Sequence, residues 1–241
     1  MKILISVFFW VFATAMTTGV FFSALFIVIF LCLFDKKGKL AHAQGFWWAD
    51  AIVWANPFWN ISLHGMERVD PKKTYVIIAN HQSLADIVII YLTHIQFKWI
   101  AKESLFKVPI LGWSMSLMRY IRVSRGEHGS IKKAYLEAGE WLKKGISVLF
   151  FPEGTRSKTG QMNPFKNGAF KLAIKEKVPI LPIYIEGSRN VLPRGSWIFS
   201  TKAFCKLTVL PVIETDTFGP EDFDKLRDVV RDKLIAASRA A

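Results

Sequence analysis

Cysteine is scarce in this chain, and the sequence patterns that hold disulfides, metals and serine nucleophiles are missing. Cys32 falls in a hydrophobic segment and Cys205 in a predicted strand, so neither belongs to a disulfide framework. The histidines do not show the short spacing of a metal site, and we expect neither a metal nor a bound cofactor. No G-x-S-x-G sequence occurs, which argues against a hydrolase with a covalent serine intermediate.

Charged residues are missing from the first part of the chain. None occurs from Ile3 to Leu33, and a helix of that length would span about 46 Å, more than the roughly 30 Å hydrocarbon core of a bilayer. This predicts a membrane-embedded segment. A cleaved signal peptide is disfavoured, since its apolar core spans only about 7 to 15 residues.

A second hydrophobic stretch, Phe46 to Leu63, contains four of the nine tryptophans. Tryptophan favours the interface between lipid headgroups and acyl chains. The two stretches fit a two-helix unit in one leaflet, or a single full span through Ile3 to Leu33. Alternatively, the aromatic residues of the second stretch pack the core of a globular domain.

Acidic residues are also in short supply, with 19 Asp and Glu against 32 Lys and Arg. A basic protein binds nucleic acid or an anionic membrane surface. Nucleic-acid binding predicts basic and aromatic residues interleaved on one surface, whereas the aromatics here are concentrated at the amino terminus. We therefore expect an anionic membrane surface as a partner and no nucleic acid. The basic residues after Leu33 place the rest of the chain on the cytoplasmic side.

From Tyr75 onward, short apolar runs alternate with helical patterns. This alternation predicts an α/β fold with a mostly parallel sheet flanked by helices. Strands are expected at 97–101, 121–123, 147–151, 180–186 and 204–210, and helices at 130–143, 167–175 and 220–238. We expect two units, an amino-terminal membrane unit at 1–64 and a second domain at 65–241.

The polar residues that follow the run Tyr75 to Ile78 form the first candidate site. The end of a parallel strand lies at the edge of the sheet where open α/β folds bind ligands. Five residues on a helix cover about 500°, so His81 meets Asp86 only if His81 lies outside the helix predicted to begin near Ser83. Asp86 would then orient His81 as a base. Alternatively, Ser83 and Asp86 form a capping box, and Asp86 can serve both roles.

A second polar cluster, Phe151 to Ser157, also follows an apolar run. Gly154 lets the backbone approach a ligand closely, Thr155 and Ser157 offer hydroxyls, and Arg156 offers a planar fork suited to phosphate. Glu153 would bind a substrate hydroxyl or hold Arg156. The alternative is a surface turn with a solvated Glu–Arg pair.

The sequences NHQSLAD (80–86) and FPEGTRS (151–157) resemble the first and third signature blocks of the glycerolipid acyltransferases, and most closely those of the bacterial 1-acyl-sn-glycerol-3-phosphate acyltransferases. The second block is matched by 112–118 and 120–125, and the fourth by 178–183. The resemblance therefore covers about 75–186. The family tends to carry basic residues at the positions of Lys102 and Lys166, and an arginine that corresponds to either Arg122 or Arg125.

This resemblance implies acyl transfer from an acyl thioester, acyl-CoA or acyl carrier protein, to the free hydroxyl of lysophosphatidic acid, a membrane lipid. His81 would be the base and Asp86 its orienting group. The binding residues would be Lys102, Arg125, Glu153, Gly154, Thr155, Arg156 and Lys166. Bacterial members are thought to carry a two-helix unit that dips into one leaflet, so we expect this of residues 1–64, at the inner membrane with the catalytic domain facing the cytoplasm. Another lysolipid or glycerol-3-phosphate is the alternative acceptor.

Overall fold

A computed structural model describes residues 2–124, 126–157, 159–193 and 195–239. The helices are α1 (Lys2–Phe30), α2 (Lys39–Trp54), α3 (Ala85–Tyr91), α4 (Glu103–Phe106), α5 (Leu111–Leu117), α6 (His128–Lys143), α7 (Gly168–Glu176), α8 (Ser188–Val191) and α9 (Phe223–Arg239). The strands are β1 (Trp59–His64), β2 (Val76–Ala79), β3 (Phe97–Lys102), β4 (Ile121–Val123), β5 (Ser147–Phe150), β6 (Ile180–Glu186) and β7 (Ala203–Val209).

The strands form one seven-stranded sheet in the order β1-β7-β6-β2-β5-β3-β4. Five neighbouring strands of this sheet run parallel to one another, as expected for strands connected by helical crossovers: β6, β2, β5, β3 and β4. β7 is antiparallel to β6, and β1 is parallel to β7. The predicted α/β fold with a mostly parallel sheet is therefore confirmed.

Helices cover both faces of this sheet. Because side chains alternate along a strand, Ile77 and Ala79 of β2 face one side, whereas Val76 and Ile78 face the other. The first side packs against α1, α2 and α3, and the second against α6, α7 and α9. We call these the amino-terminal face and the α9 face.

The amino-terminal unit consists of α1 and α2, which pack against each other and against the amino-terminal face. A hydrogen bond connects α2 to the residue before β4: Nδ1 of the buried His42 lies 2.9 Å from the hydroxyl of Tyr120. Asp35 begins this helix by accepting the backbone N–H groups of residues 39–41. His42 thus has a structural role.

The predicted boundary after residue 64 needs a correction, because residues 59–64 form an edge strand of the sheet. β1 pairs with β7 along its whole length, from Trp59 opposite Ala203 to His64 opposite Thr208. The aromatic stretch therefore divides between two elements. Trp47 and Trp54 of α2 are exposed, as expected for an interfacial helix, while Trp59 is buried under α1.

Candidate active site

The two predicted clusters lie side by side at one edge of the sheet. β5 is hydrogen-bonded to β2 on one side and to β3 on the other, and all three strands run in the same direction. The turn after β2, the loop after β5 and the end of β3 therefore meet at the carboxyl edge. Neighbouring strands lie about 4.8 Å apart, which places the end of β3 about 10 Å from the end of β2.

Asn80 fixes the start of the turn between β2 and α3, residues 80–84, which contains the predicted base and which we call the catalytic turn. Its side-chain amide donates to the carbonyl of Ile185 at 2.8 Å, and its side-chain oxygen accepts the N–H of the same residue at 2.7 Å. The buried amide thus extends the pairing of β2 with β6 by one residue. Sequence reasoning gave Asn80 no role, although a polar amide at the end of a fully buried strand is the signal that identifies it.

His81 and Asp86 form a direct hydrogen bond, as their spacing predicted. The Nδ1–H of His81 donates to Oδ2 of Asp86 at 2.7 Å. A carboxylate only accepts, so in the neutral imidazole the proton lies on Nδ1 and Nε2 carries a lone pair. The Asp86 side chain is fully buried and that of His81 is 12% exposed, so the imidazole lies near the protein surface while the carboxylate that orients it is shielded from water.

Asp86 also holds the turn that leads into α3. Its Oδ2 accepts the backbone N–H of Gln82 at 2.7 Å and that of Ser83 at 2.9 Å, while the hydroxyl of Ser83 accepts the N–H of Ala85. α3 begins at Ala85, two residues later than predicted, which leaves His81 outside the helix as the geometry requires. The predicted contact of Asp86 with His81 and its bond to the N–H of Ser83 are both present, while the role of Asp86 in orienting a base stays a prediction.

One wall of the site is aromatic. The imidazole of His81 stacks on the ring of Phe151, with centroids 3.9 Å apart and planes 12° apart, and Phe151 lies against Trp99 of β3. This wall fixes the ring plane of His81.

Glu153 joins the two clusters through backbone bonds. One carboxylate oxygen accepts the N–H of His81 at 2.8 Å, and the other accepts the N–H of Asn163 at 2.8 Å. Burial raises the pKa of this carboxyl above its usual value, against the opposing effect of the two N–H groups. Glu153 thus shapes the site by holding the base, whereas its predicted contact with a substrate hydroxyl stays a prediction.

Ser157 closes the loop after β5 and does not offer its hydroxyl to a ligand. Its N–H donates to the carbonyl of His81 at 2.8 Å, and its hydroxyl bonds within its own loop, to Gly160 and Gln161. These bonds correct the interpretation of the loop as a simple surface turn. Thr155, by contrast, is exposed.

The predicted phosphate-binding side chains described in this paragraph lie on two segments, the loop after β5 and the end of β3. Lys166 lies over Gly154, since its Cε and Nζ are 3.1 Å from the point that a Cβ on this glycine would occupy. Gly154 has a φ of +69°, so the absence of a side chain and the left-handed backbone are both required there. Arg156 is half-buried in the same loop. Lys102 is exposed at the end of β3, on the same edge.

Of the two candidate arginines in the second block, Arg122 is among the described residues and Arg125 is not. Arg122 is exposed, stacks on the ring of Phe106 at 4.6 Å and donates to the hydroxyl of Ser116 at 2.8 Å. Arg125 lies outside the described residues, so its predicted contact with substrate stays a prediction. Among the described residues, no group of His, Cys, Asp and Glu is arranged to hold a metal ion.

Both the sequence and the fold of this chain match those of known proteins. The profile of the family described as Acyltransferase matches residues 60–186, more than half of the chain, a range that includes both clusters and all of β1 except its first residue. A solved structure, described as that of the 1-acyl-sn-glycerophosphate (LPA) acyltransferase, PlsC, from Thermotoga maritima, is 27% identical. It superposes with a TM-score of 0.86 over 99% of this chain and 95% of that one.

Among curated relatives, the 1-acyl-sn-glycerol-3-phosphate acyltransferase BAT2, chloroplastic, of Brassica napus is 38% identical over 69% of this chain and 48% of its own length. The alpha form of Mus musculus is 30% identical over 74% of this chain and 64% of its own length. The chain thus spans about half the length of the first plant relatives it matches. The profile match and the shared fold show that this chain belongs to the acyltransferase family.

Proposed function

We propose that this protein transfers an acyl group from an acyl thioester to the sn-2 hydroxyl of lysophosphatidic acid, which yields phosphatidic acid. The observation that carries the proposal is the hydrogen bond of 2.7 Å between His81 and Asp86, which leaves Nε2 as a base beside a loop rich in cations. The names of the relatives, 1-acyl-sn-glycerol-3-phosphate acyltransferases, support the choice of acceptor.

The chemistry is a direct transfer. Nε2 of His81 takes the proton of the acceptor hydroxyl while that oxygen attacks the thioester carbonyl carbon. Asp86 stabilises the imidazolium that forms. When the tetrahedral intermediate collapses, the C–S bond breaks, the ester is released, and the imidazolium returns its proton to the leaving thiolate. No acyl-enzyme is needed, and the protein needs no metal or bound cofactor.

The acceptor is positioned by its phosphate. Arg156 and Lys166 on the loop after β5, Lys102 at the end of β3 and Arg122 of β4 supply positive charge along one edge of the sheet, and Arg125 is the alternative to Arg122. Anchoring the phosphate at several cations fixes the hydroxyl near Nε2, which lowers the entropic part of the barrier. Gly154 and Thr155 shape the pocket between these cations and the base.

The amino-terminal unit brings the enzyme to its lipid substrate. α1 is 29 residues long and, by length and composition, long and apolar enough to cross a membrane. Both halves of this helix nevertheless contact the rest of the protein: the indole of Trp10 donates to the carbonyl of Trp197, and Ala24 and Ile27 are buried in the core. We propose that α1 and α2 lie in one leaflet, since a helix held along its length by the globular part does not leave it to cross a bilayer.

The side of the membrane follows from charge. Phe8, Phe22, Phe26 and Phe30 present an exposed apolar surface along α1, and the exposed Lys36, Lys37 and Lys39 follow it. By the positive-inside rule, these lysines favour the cytoplasmic side of a bacterial inner membrane and contact with anionic headgroups.

The test is acyl transfer by the purified protein in detergent, with acyl-CoA and acyl carrier protein as donors. The acceptors are lysophosphatidic acid, glycerol-3-phosphate, lysophosphatidylethanolamine and, as the control without phosphate, monoacylglycerol. We expect phosphatidic acid as the main product and little acylation of monoacylglycerol. Preferred acylation of either of the other two acceptors would keep the chemistry and overturn the choice of lysophosphatidic acid.

A further inference from the structure

A polar cavity of about 460 Å³ opens beside the catalytic turn, on the α9 face of the sheet. Its lining comes from α9, from the loop after β5, from Tyr184 of β6 and from Gln82, the residue after the base. The amide of Gln82 donates to the carbonyl of Gly160 at 3.2 Å, which ties the cavity rim to the catalytic turn. Nothing in the proposed mechanism uses this space.

The lining is basic. Arg231 and Arg239 of α9 line the cavity, and none of the described lining residues is acidic. A third cation lies at the rim, since a guanidinium nitrogen of Arg189 is 3.1 Å from the point that a Cβ on Gly160 would occupy. The Nε of Arg231 is buried and has no hydrogen-bond partner among the described residues. A cavity lined by guanidinium groups with no acidic side chain among its described lining residues favours an anionic ligand, because guanidinium donates charge-assisted hydrogen bonds to phosphate and carboxylate groups.

The position of the cavity indicates which anion. The exposed apolar surface of α1 and α2 lies on the amino-terminal face, whereas α9 covers the opposite face of the sheet. The cavity therefore opens away from the proposed membrane surface, toward water. The acyl chain of a lysolipid stays with the membrane, while the carrier that brings an acyl thioester is soluble in water. A volume of about 460 Å³ also lies in the range of sites for whole small molecules, more than one phosphate group fills.

We propose that this cavity binds the phosphate-bearing carrier part of the acyl thioester, with its phosphates against Arg231 and Arg239. The inference rests on the proposed acyl transfer and names the site of the second substrate. Gln82 borders the cavity and directly follows His81, so a carrier seated there extends its thioester toward Nε2 from the α9 face. The acceptor reaches the same nitrogen from the membrane side.

The test compares Arg231→Gln with wild type, using two donors: acyl-CoA and the matching acyl-pantetheine thioester, which has no phosphate. Lys233→Gln is the matched control, since Lys233 is exposed on the same helix about 200° from Arg231. We expect the preference for acyl-CoA over acyl-pantetheine, as a ratio of kcat/KM, to fall about tenfold in Arg231→Gln, because a hydrogen bond to a charged group is lost. Lys233→Gln keeps the wild-type ratio.

Two results would overturn the inference. One is an unchanged donor preference in Arg231→Gln. The other is a rise in the KM for lysophosphatidic acid with no change for acyl-CoA, which would assign the cavity to the headgroup phosphate of the acceptor. Arg239→Gln, at the last turn of α9, is the second variant if Arg231→Gln melts at a lower temperature than wild type.

A binding measurement separates this inference from the proposed function. Free coenzyme A is titrated calorimetrically into wild type and Arg231→Gln in detergent, without acceptor. Binding that weakens about tenfold in the variant supports the carrier site even if lysophosphatidic acid proves to be the wrong acceptor. Equal binding by the two proteins contradicts the site even if phosphatidic acid is formed.

Discussion

A single carboxylate oxygen holds His81, the proposed base, in position. Oδ2 of Asp86 accepts the Nδ1–H of His81 together with two backbone N–H groups of the same turn. The backbone bonds fix the carboxylate, and the carboxylate fixes the tautomer and the plane of the imidazole. Oδ1 is buried without a hydrogen-bond partner among the described residues, so the function of Asp86 depends on one atom.

Asp86→Asn tests this arrangement. An amide is neutral, so it no longer stabilises the imidazolium, and its NH2 group competes for the position of the accepting oxygen. We expect kcat to fall by roughly 10³-fold with little change in KM, since the loss is confined to the transition state. The measurement is steady-state phosphatidic acid formation, with Asp50→Asn as the control because Asp50 is an exposed carboxylate paired with His94. A fall in kcat of less than tenfold would remove Asp86 from the orienting role.

At the residue scale, the sequence predicts contacts that are local along the chain. The pair His81–Asp86 is five residues apart, so helix geometry alone limits how the two side chains meet. The bond from the His81 N–H to Glu153 spans 72 residues. The backbone N–H that donates to the buried carboxylate of Glu153 is set by the order of the strands in the sheet. Strand order is a tertiary property that local sequence does not contain.

The loop after β5 carries most of the residues predicted to bind the acceptor. It turns at Gly154 with a positive φ, carries the side chain of Lys166 over that glycine, and is closed by Ser157. Its shape therefore depends on one residue that has no side chain. The side chain of Lys166 reaches the site by packing against the backbone of Gly154, where a Cβ would obstruct it.

Gly154→Ala is expected to destabilise the fold by about 1 kcal/mol, because alanine is strained at positive φ. The added methyl group also meets Lys166, so the KM for the phosphate-bearing acceptor rises several-fold. Gly129→Ala in α6 is the matched control, since nothing lies within 4 Å of its Cβ position and alanine favours a helix. Thermal unfolding and acceptor KM are measured for both variants, and equal results for the two would contradict the role of Gly154.

At the element scale, apolar alternation predicts most of the fold. The helices α6, α7 and α9 and the strands β3 to β7 lie within three residues of their predicted bounds. β1 was missed because Trp59 to His64 continues an aromatic run, and its burial pattern lacks the strict alternation that identifies a strand. Its place at the sheet edge is set by pairing with β7, 144 positions later in the chain, from Trp59 to Ala203.

The whole molecule is organised as three layers, with the active site at one edge of the middle one. α1 and α2 cover one face of the sheet, α6, α7 and α9 cover the other, and the catalytic turn lies at the carboxyl edge between them. In the proposed function, the lipid acceptor approaches this edge from the amino-terminal face and the water-soluble donor from the α9 face. The sequence predicts the apolar helix, but not that its first turns pack on Trp59 and Phe199.

The position of α1 in the membrane is tested by thiol labelling. Cysteines replace Lys2 or Lys37, one at a time, in a chain whose Cys32 and Cys205 are changed to serine. An impermeant maleimide is then added to sealed vesicles of known orientation. A helix that lies in one leaflet has both ends on the same side, so both positions are labelled from that side. Labelling of the two positions from opposite sides would establish a full span and contradict the one-leaflet arrangement.

The central claim is that His81 is the base that activates the acceptor hydroxyl. The most direct measurement is phosphatidic acid formation from labelled lysophosphatidic acid and acyl-CoA by purified wild type and His81→Ala, with equal melting temperatures as evidence of an intact fold. We predict product from wild type and a rate at least about 10³-fold lower in the variant, because no other group replaces Nε2 as proton acceptor. A variant rate within tenfold of wild type would contradict the account.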